Sequence, residues 1–344
     1  MKVLLYDTTL SFITPGGKTT HAIKLHQELK KIGVDIEFAQ WWNKEQSDFD
    51  IIHTLAHQIE PIVDFSHKKG KKVILTQIMD IESNKPLRKQ YKEIFFSKIQ
   101  AFFPFTMEKI QGIRAIPKFD HVVYMNESDR KTALRYYNKL NINKTSIIPH
   151  AFDPVDMYIG EDIKINNIPE KYILSCANID WRKQSHLLAR FARKAKVPIV
   201  FIGNSNKEDE YYKLFIKEID NKYTFYLGFV DLKTKDSLER KAAGFALLSL
   251  AESGCIAVYE AAAYKLPLFL SNLPWAKHYD SATNISYCDF KNESKAINEL
   301  SLFFHLKAGL KESTPFEVKT WNEIAHMYKD LYKTIYNNNS VLYL

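Results

Sequence analysis

Short apolar runs alternate along the chain with segments whose apolar positions recur at helical spacing. Runs typical of buried strands occur in the first half at 2–7, 34–39, 49–54, 72–77, 120–125 and 145–149. A helix is predicted at 19–32, where Ala22, Leu25, Leu29 and Ile32 share one face. Gly33 is expected to end it. Strands separated by helices favour a parallel sheet covered by helices.

The same alternation returns in the second half, after a stretch of different character. Residues 153–170 contain prolines, Gly160 and several acids without periodicity, which is typical of a linker. Further strands are predicted at 171–177, 197–203, 223–228, 245–250 and 267–271. Helical patterns lie at about 184–195, 207–220, 234–243, 255–265 and 317–337. Two open α/β sheets suit a ligand held between the carboxyl ends of their strands.

Composition narrows the class of protein. The chain has 344 residues, of which 46% are hydrophobic and 26% charged, as expected for two globular domains. No window of 18 or more apolar residues occurs, and the N-terminal run VLLY is short and interrupted by Asp7. A cytoplasmic protein without a signal peptide is therefore expected. Cys176, Cys255 and Cys288 have no zinc or redox spacing and are predicted to be free thiols.

The net charge of +8 is concentrated in one segment. Residues 85–118 contain eight basic and two acidic residues, giving +6, and the cations are interleaved with Tyr and Phe. Such a pattern is suited to weak contact with an anionic membrane or a lipid-phosphate acceptor. It is equally typical of a packed helix with a solvated outer face. No nucleic-acid-binding motif is present, and no nucleic-acid partner is predicted.

The stretch with the clearest chemistry is 249–271, which is predicted to run from a strand through a Ser-Gly turn into a helix. Glu252 precedes the helix and Glu260 follows in its second turn, where carboxylates can accept paired sugar hydroxyls. Amides at a helix start can hold a diphosphate. Alternatively, Glu252 caps the helix and Glu260 is a solvated residue. The candidate phosphate-binding amides belong to Ser253, Gly254, Cys255 and Ile256.

This stretch resembles the E-x7-E motif of glycosyltransferase family 4. Glu252, Glu260, Ala261, Ala263 and Pro267 match its pattern. Other segments similar to that family, in the same order, are Gly16-Gly17 with the following helix and Gly33-Val34, Asp50-Ile51-Ile52-His53, IIPHAFD at 147–153, SCANIDWRK at 175–183, and Thr320-Trp321 with the tail helix. The resemblance covers most of the chain.

The resemblance implies roles for several residues. Glu252 would contact the transferred sugar, Glu260 would bind the ribose hydroxyls, and Lys183 would neutralise the diphosphate. Asn178 stands where the family has an arginine, and Arg182 is a candidate substitute. On position alone, Lys183 is also explained as a surface lysine. Cys255 would lie at a helix N-terminus, where thiol pKa values tend to fall, although a packing role is favoured.

Candidate residues also occur in the first half of the chain. Gly16 and Gly17 permit close approach of a ligand to the backbone, or form a plain turn. His53 is a candidate for facing the sugar or acceptor; His57 follows it at metal-ligand spacing, but no third ligand is evident. The histidine that many family members carry after the fourth strand is missing, and Gln77 or Asp80 occupies that region.

The sequence as a whole predicts an α/β protein of the GT-B type, with two Rossmann-like domains facing across a cleft. We expect an acceptor-side domain at 1–160, a nucleotide-sugar domain at 161–316, and a helix at 317–344 that returns to the first domain. The implied activity is sugar transfer with retention, from a UDP- or GDP-sugar to a glycan or lipid-linked acceptor, in surface polysaccharide or glycolipid synthesis, without cofactor or metal. The alternatives are another GT-B enzyme, such as a nucleotide-sugar epimerase, and a catalytically degenerate partner subunit.

Overall fold

The structure of the protein, a computed structural model, divides into two compact units. Unit 1 comprises Met1–Ala151 and Lys319–Leu344, and unit 2 comprises Phe152–Val318. The residues that the structure describes are 1–7, 16–40, 42–55, 60–100, 109–153, 168–279, 284–311 and 314–337. The predicted linker therefore lies largely outside the described residues, as do His57 and residues 101–108.

Unit 1 is built on a parallel six-stranded sheet with the order β2-β1-β3-β4-β5-β6. Its strands are β1 (Lys2–Tyr6), β2 (Asp35–Phe38), β3 (Ile51–Leu55), β4 (Lys72–Gln77), β5 (His121–Tyr124) and β6 (Thr145–Ile147). The strand order reverses between β1 and β3, which are parallel neighbours with Val3 opposite Ile51. All five residues of β3 are buried, as expected for a parallel sheet covered on both faces.

The α-helices in the described part of unit 1 are α1 (Gly17–Lys31), α2 (Glu60–Lys68), α3 (Asp80–Ser83), α4 (Leu87–Gln100), α5 (Lys109–Ala115), α6 (Glu127–Tyr136) and, from the end of the chain, α13 (Trp321–Asn337). Helix α1 ends where the sequence indicates, since Gly33 has a φ of +78° and the Val34 amide donates to the Leu29 carbonyl at 2.9 Å. Helix α13 packs on α1 through a core that includes Trp321, Tyr328 and Tyr332. The tail is thus an integral layer of unit 1.

Unit 2 contains a second parallel six-stranded sheet, with the order β12-β11-β10-β7-β8-β9. Its strands are β7 (Ile173–Cys176), β8 (Ile199–Ile202), β9 (Thr224–Tyr226), β10 (Gly244–Leu247), β11 (Leu268–Ser271) and β12 (Ile285–Cys288). Taken from β9, this is the strand order of dinucleotide-binding Rossmann sheets, in which successive strands add on one side of the first strand and then on the other. The order reverses between β7 and β10, which are direct neighbours.

The helices of unit 2 pack on both faces of its sheet and form two hydrophobic cores. They are α7 (Ser185–Ala195), α8 (Glu210–Ile216), α9 (Leu232–Lys241), α10 (Ile256–Ala263), α11 (Pro274–Lys277) and α12 (Glu293–Leu306). Helix α9 is capped by Asp231, whose carboxylate accepts from the Thr234 amide at 2.7 Å. No helix within the described residues is long and apolar enough to cross a membrane.

The predicted strands are all confirmed, and β12 is an additional one that the sequence did not indicate. Only its two end residues, Ile285 and Cys288, are buried, so its apolar signal is weak. The helix predicted at 207–220 is shorter in the structure, Glu210–Ile216, and begins after the N-cap Asp209.

Candidate functional site

A cluster of three charged side chains lies where the strand order of unit 2 reverses. Strands β7 and β10 run parallel and adjacent, so their carboxyl ends meet at one edge of the sheet. The segment 177–184 follows β7, and the segment 248–255 follows β10. In open parallel sheets this is the position at which ligands bind.

These two segments are joined by hydrogen bonds. The Leu250 amide donates to the Arg182 carbonyl at 2.8 Å. The Ser249 carbonyl accepts from the Trp275 indole at 2.8 Å, and Trp275 is almost fully buried. The backbone before Glu252 is therefore fixed on one side by the Arg182 segment and on the other by a large core side chain.

Three charged side chains meet between the two segments. The Lys183 ammonium lies 2.5 Å from Glu252 Oε1, and Arg182 Nη1 lies 3.2 Å from Glu252 Oε2. Arg182 Nη1 also donates to the Ala251 carbonyl at 3.0 Å. The Glu252 and Lys183 side chains are only 7% and 11% exposed, whereas Arg182 is 31% exposed. The result is a carboxylate bound by two cations at the ligand-binding edge of the sheet.

Burial and the neighbouring acids act in opposite directions on this cluster. Burial of the Lys183 ammonium lowers its pKa, but Cys255 and Glu252 beside it more than offset this, so the pKa is raised overall. Burial, together with the Glu252 charge, raises the pKa of the Cys255 thiol to about 11. The expected fall in thiol pKa at the helix start is therefore contradicted, and Cys255 acts as a buried packing residue with a neutral thiol.

Helix α10 begins directly beyond this cluster. Its N-cap is Cys255, which has extended backbone geometry and makes no side-chain capping bond. The carboxylate of Glu252 accepts from Arg182 and Lys183, and the capping alternative for this residue stays a prediction. The first amides of an α-helix have no partner within the helix, so the turn formed by Ser253, Gly254, Cys255 and Ile256 brings amide donors next to the three charges.

The second glutamate of the motif is also buried and ion-paired. Glu260 is 8% exposed, and its Oε1 lies 2.5 Å from the Lys235 ammonium on helix α9. Lys235 also lies 3.7 Å from Glu239, one helical turn further on. Burial and the charge of Glu260 raise the pKa of Glu239 to about 8. The prediction that Glu260 might be a solvated helix residue is thus contradicted.

Sequence reasoning missed Lys235 and Glu239. The two residues are four apart on the helix predicted at 234–243, and that spacing normally indicates an exposed ion pair. Their burial depends on the packing of α9 against the sheet, where Leu238 is fully buried beside them. The only available signal was the i, i+4 pair itself, which does not distinguish an exposed pair from a buried one.

The segment that carries Asn178, Arg182 and Lys183 is held in place at both ends. Next to Asn178, which is exposed, the Ile179 amide donates to the Asn204 carbonyl at 2.8 Å. At Gly203 (φ +142°) a Cβ would lie 2.0 Å from the Ala177 carbonyl oxygen, so only glycine permits this approach. At the other end Gln184 has a φ of +54°, and α7 starts one residue later.

The candidate residues of unit 1 are not arranged as a second charged cluster. Gly16 precedes α1 in an extended conformation, and Gly17 is the first residue of that helix. A Cβ at Gly16 would meet nothing within 4 Å, so neither steric crowding nor a positive φ requires glycine there. Their predicted role in approaching a donor stays a prediction.

His53 is a core residue, contrary to the predicted sugar- or acceptor-facing role. It is 0% exposed in the middle of β3. Its Nδ1 lies 2.7 Å from the Tyr332 hydroxyl of α13 and its Nε2 lies 2.7 Å from the Thr76 hydroxyl. Burial lowers its pKa to about 3, so the ring is neutral. Helix α13 covers the strand at this point, and the ring is engaged on both sides.

Of the two residues considered in place of the missing histidine, Gln77 is also internal. It is 1% exposed, accepts from the Tyr124 hydroxyl at 3.0 Å, and donates to the Tyr137 hydroxyl at 3.2 Å. Asp80 lies at the start of α3 and is half-buried. Asp80 is therefore the better placed of the two for contact with a ligand. Within the part of the chain that the structure describes, no group of three or more His, Cys, Asp or Glu side chains is arranged to hold a metal ion.

Comparison with known protein families gives a match in the second half of the chain. Residues 159–303 match the family model described as glycosyl transferases group 1, and that match lies within unit 2. A search of curated protein sequences finds no match to the chain.

Solved structures with the same fold extend over both units. The UDP complex of HepE from Anabaena is 13% identical, with 97% of this chain and 100% of that chain covered and a TM-score of 0.69. Sucrose-phosphate synthase from Thermosynechococcus elongatus is 13% identical, with 98% and 100% covered and a TM-score of 0.73. An alpha,alpha-trehalose-phosphate synthase (UDP-forming) from Burkholderia xenovorans, in complex with glucose-6-phosphate, is 10% identical, with 97% and 100% covered and a TM-score of 0.70. The predicted α/β GT-B fold with two Rossmann-like domains is confirmed.

Proposed function

We propose that the chain is a glycosyltransferase that takes its sugar from a nucleoside diphosphate sugar, with UDP or GDP as the nucleotide. The observation that carries this proposal is that Arg182 and Lys183 both form ion pairs with Glu252 just before α10. The match of 159–303 to glycosyl transferases group 1 and the fold shared with UDP-dependent synthases support it. So does the resemblance of 249–271 to the E-x7-E motif of glycosyltransferase family 4.

In this proposal the diphosphate of the donor rests on the amides of Ser253–Ile256. Lys183 and Arg182 then share their charge between Glu252 and the phosphates, and stabilise the negative charge that develops on the departing nucleotide. These two side chains carry the neutralising role that a metal ion has in other transferases. Because a site fixed by buried contacts needs little rearrangement during reaction, much of the rate enhancement would come from this electrostatic preorganisation.

The two glutamates have separate roles. Glu252, held beside the phosphates, would contact the transferred hexose, and Glu260, held by Lys235, would accept hydrogen bonds from the ribose diol. The family resemblance implies transfer with retention to a glycan or lipid-linked acceptor, in surface polysaccharide or glycolipid synthesis on the cytoplasmic side of the membrane. Asn178 is proposed to contribute to the donor site, and Asp80 to contact the acceptor.

The proposal is tested first by donor binding. A thermal-shift panel of UDP-, GDP-, ADP- and CMP-sugars should show stabilisation by one nucleotide class, because a ligand at 100 times its Kd adds about 2.7 kcal/mol. Release of nucleoside diphosphate is then measured with candidate acceptors for the wild type, Glu252→Gln and the control Glu293→Gln. The control removes an exposed acid that pairs with Lys194 on the surface of unit 2.

Glu252→Gln should lower turnover by about 100–1,000-fold, and the control should not change it. Full activity of Glu252→Gln would contradict the assigned site. Conversion of the donor sugar into an epimer would favour an epimerase instead. Absence of both nucleotide binding and turnover would favour a degenerate partner subunit.

A further inference from the structure

Helix α4 of unit 1 has its polar and apolar sides exchanged relative to an ordinary surface helix. It buries Gln90 and Ser97, together with Ile94. The large apolar residues on its outer side are Leu87, Tyr91, Phe95, Phe96 and Ile99, which are 41–61% exposed. A helix that only packs on a core buries its apolar side, so this distribution calls for a ligand on the outer side.

The inner side of α4 is fixed by specific polar contacts. Gln90 accepts from Arg135 Nε at 3.0 Å and donates to the Lys85 carbonyl at 2.8 Å. Glu93 is 2.8 Å from the Lys85 ammonium and accepts from the Tyr136 hydroxyl at 2.9 Å. These contacts determine which side of the helix faces inward, so rotation of α4 to bury its aromatic residues would break them.

The outer side is also positively charged. Its cations are the exposed residues Arg88, Lys89, Lys92 and Lys98, which lie between the apolar side chains. The Lys92 ammonium lies 6.0 Å from the centre of the Phe96 ring. Glu93 is the single acid in 87–100, and it pairs with Lys85 on the inner side. The apolar and cationic residues together occupy a strip about 18 Å long at 1.5 Å per residue.

We propose that this outer strip of α4, residues 87–99, binds the surface of an anionic lipid bilayer, with the helix lying in the plane of the interface. Aromatic and aliphatic side chains would enter the boundary of the acyl chains while Lys and Arg contact the lipid phosphates. The charge argues against a second copy of the chain as the occupant, because two such strips would bring eight cations together. The inference rests on α4 alone and does not depend on sugar transfer.

Co-sedimentation with vesicles tests the proposal. The wild type should bind vesicles containing about a third phosphatidylglycerol at least 10-fold more tightly than pure phosphatidylcholine, and high salt should weaken that binding. Lys89→Glu/Lys92→Glu should reduce it at least 10-fold, since one surface cation contributes about a fivefold factor. Phe95→Ser/Phe96→Ser should also reduce it at least 10-fold, since it removes two aromatic rings that would enter the boundary of the acyl chains. All four positions are exposed, so circular dichroism and Tm should stay unchanged.

Matched control variants lie in unit 2. Lys207→Glu/Lys217→Glu makes the same change in charge at exposed positions, and Leu302→Ser/Leu306→Ser removes two leucines that are 49% and 67% exposed. Both should bind anionic vesicles like the wild type. Equal binding to neutral and anionic vesicles would overturn the proposal, and so would wild-type binding by either α4 variant. A dimer in solution that Phe95→Ser/Phe96→Ser dissociates would assign the strip to self-association instead.

Discussion

Units 1 and 2 both have a parallel six-stranded sheet, but different kinds of side chain lie beside the place where the strand order reverses. In unit 1, α13 covers the face of β3 beside that place, and the polar groups there are bonded to one another, as neutral His53 is to Tyr332 and Thr76. In unit 2 the carboxyl edge at the reversal carries the ion pair of Lys183 and Glu252. Two parallel six-stranded sheets can therefore have very different side chains beside the reversal of their strand order. The difference lies in what packs against the neighbouring strands.

The difference is also energetic. A buried neutral network stabilises the fold because every polar group has a partner, whereas a buried ion pair gains little after the loss of hydration. The unit 1 network is thus explained by stability. The charge cluster of unit 2 is poorly explained by stability and better explained by a ligand that needs the charges.

Removing Lys183 gives the largest expected effect and tests the functional half of this comparison. Lys183→Met should lower kcat for nucleoside diphosphate release by about 100–1,000-fold, because the leaving group loses its closest cation. Lys194→Met, which removes an exposed lysine from α7 of the same unit, is the control and should retain activity. If both variants had wild-type turnover, the charged cluster would be structural like its counterpart in unit 1.

A decrease in pH should destabilise unit 1, and His53, His21 and His121, whose pKa values burial lowers, should all contribute to the effect. Burial lowers the pKa of His53 from 6.5 to about 3, and burial with the neighbouring His150 lowers that of His21 well below 6.5. Below pH 6.5 these histidines bind protons in the unfolded chain but stay neutral in the folded chain. The free energy of unfolding should therefore fall by about 1.4 kcal/mol per pH unit for each histidine.

Urea unfolding followed between pH 7 and pH 5 measures this slope. His53→Gln, which cannot titrate, should flatten it, while the exposed His305→Gln should leave it unchanged. An unchanged slope in His53→Gln would show that His53 is accessible to protons in the folded state, and so would reopen its sugar-facing role.

A further pH effect has the opposite sign and belongs to unit 2. Burial and Glu260 raise the pKa of Glu239 from 4.5 to about 8. Its contribution to stability should be lost as the pH rises from 4.5 to 8, by at most about 1.4 kcal/mol per pH unit, because the unfolded carboxyl ionises first. Glu239→Gln should remove this loss in hydrogen exchange of α9, whereas the exposed Glu210→Gln should not. A loss that persists in Glu239→Gln would contradict the assignment.

The strands and the two-domain organisation were accessible from sequence because buried parallel strands are continuous apolar runs bounded by turns. The runs at 72–77 and 197–203 are examples, and the structure has β4 and β8 there. β12 was missed since its two central residues are only half-buried. Local pattern therefore predicts an element well when the element is buried along its whole length.

The site was only partly predictable. Lys183 and Glu252 are 69 residues apart, and family resemblance, not spacing, suggested that they act together. His53 was assigned to the ligand side because a histidine within a strand has the same sequence pattern whether or not a helix covers it. The covering residue, Tyr332, is 279 positions away. Burial that depends on such distant contacts leaves no local signal.

Gln184, the N-cap residue of α7, has a left-handed backbone conformation. A residue with a side chain loses about 1–2 kcal/mol in that conformation, and the chain accepts this loss directly beside Lys183. Glycine there would remove this cost and raise the thermal stability, but it would also make the backbone that positions the Lys183 ammonium more flexible. A Gln184→Gly variant would therefore be expected to have a higher melting temperature and a lower turnover rate.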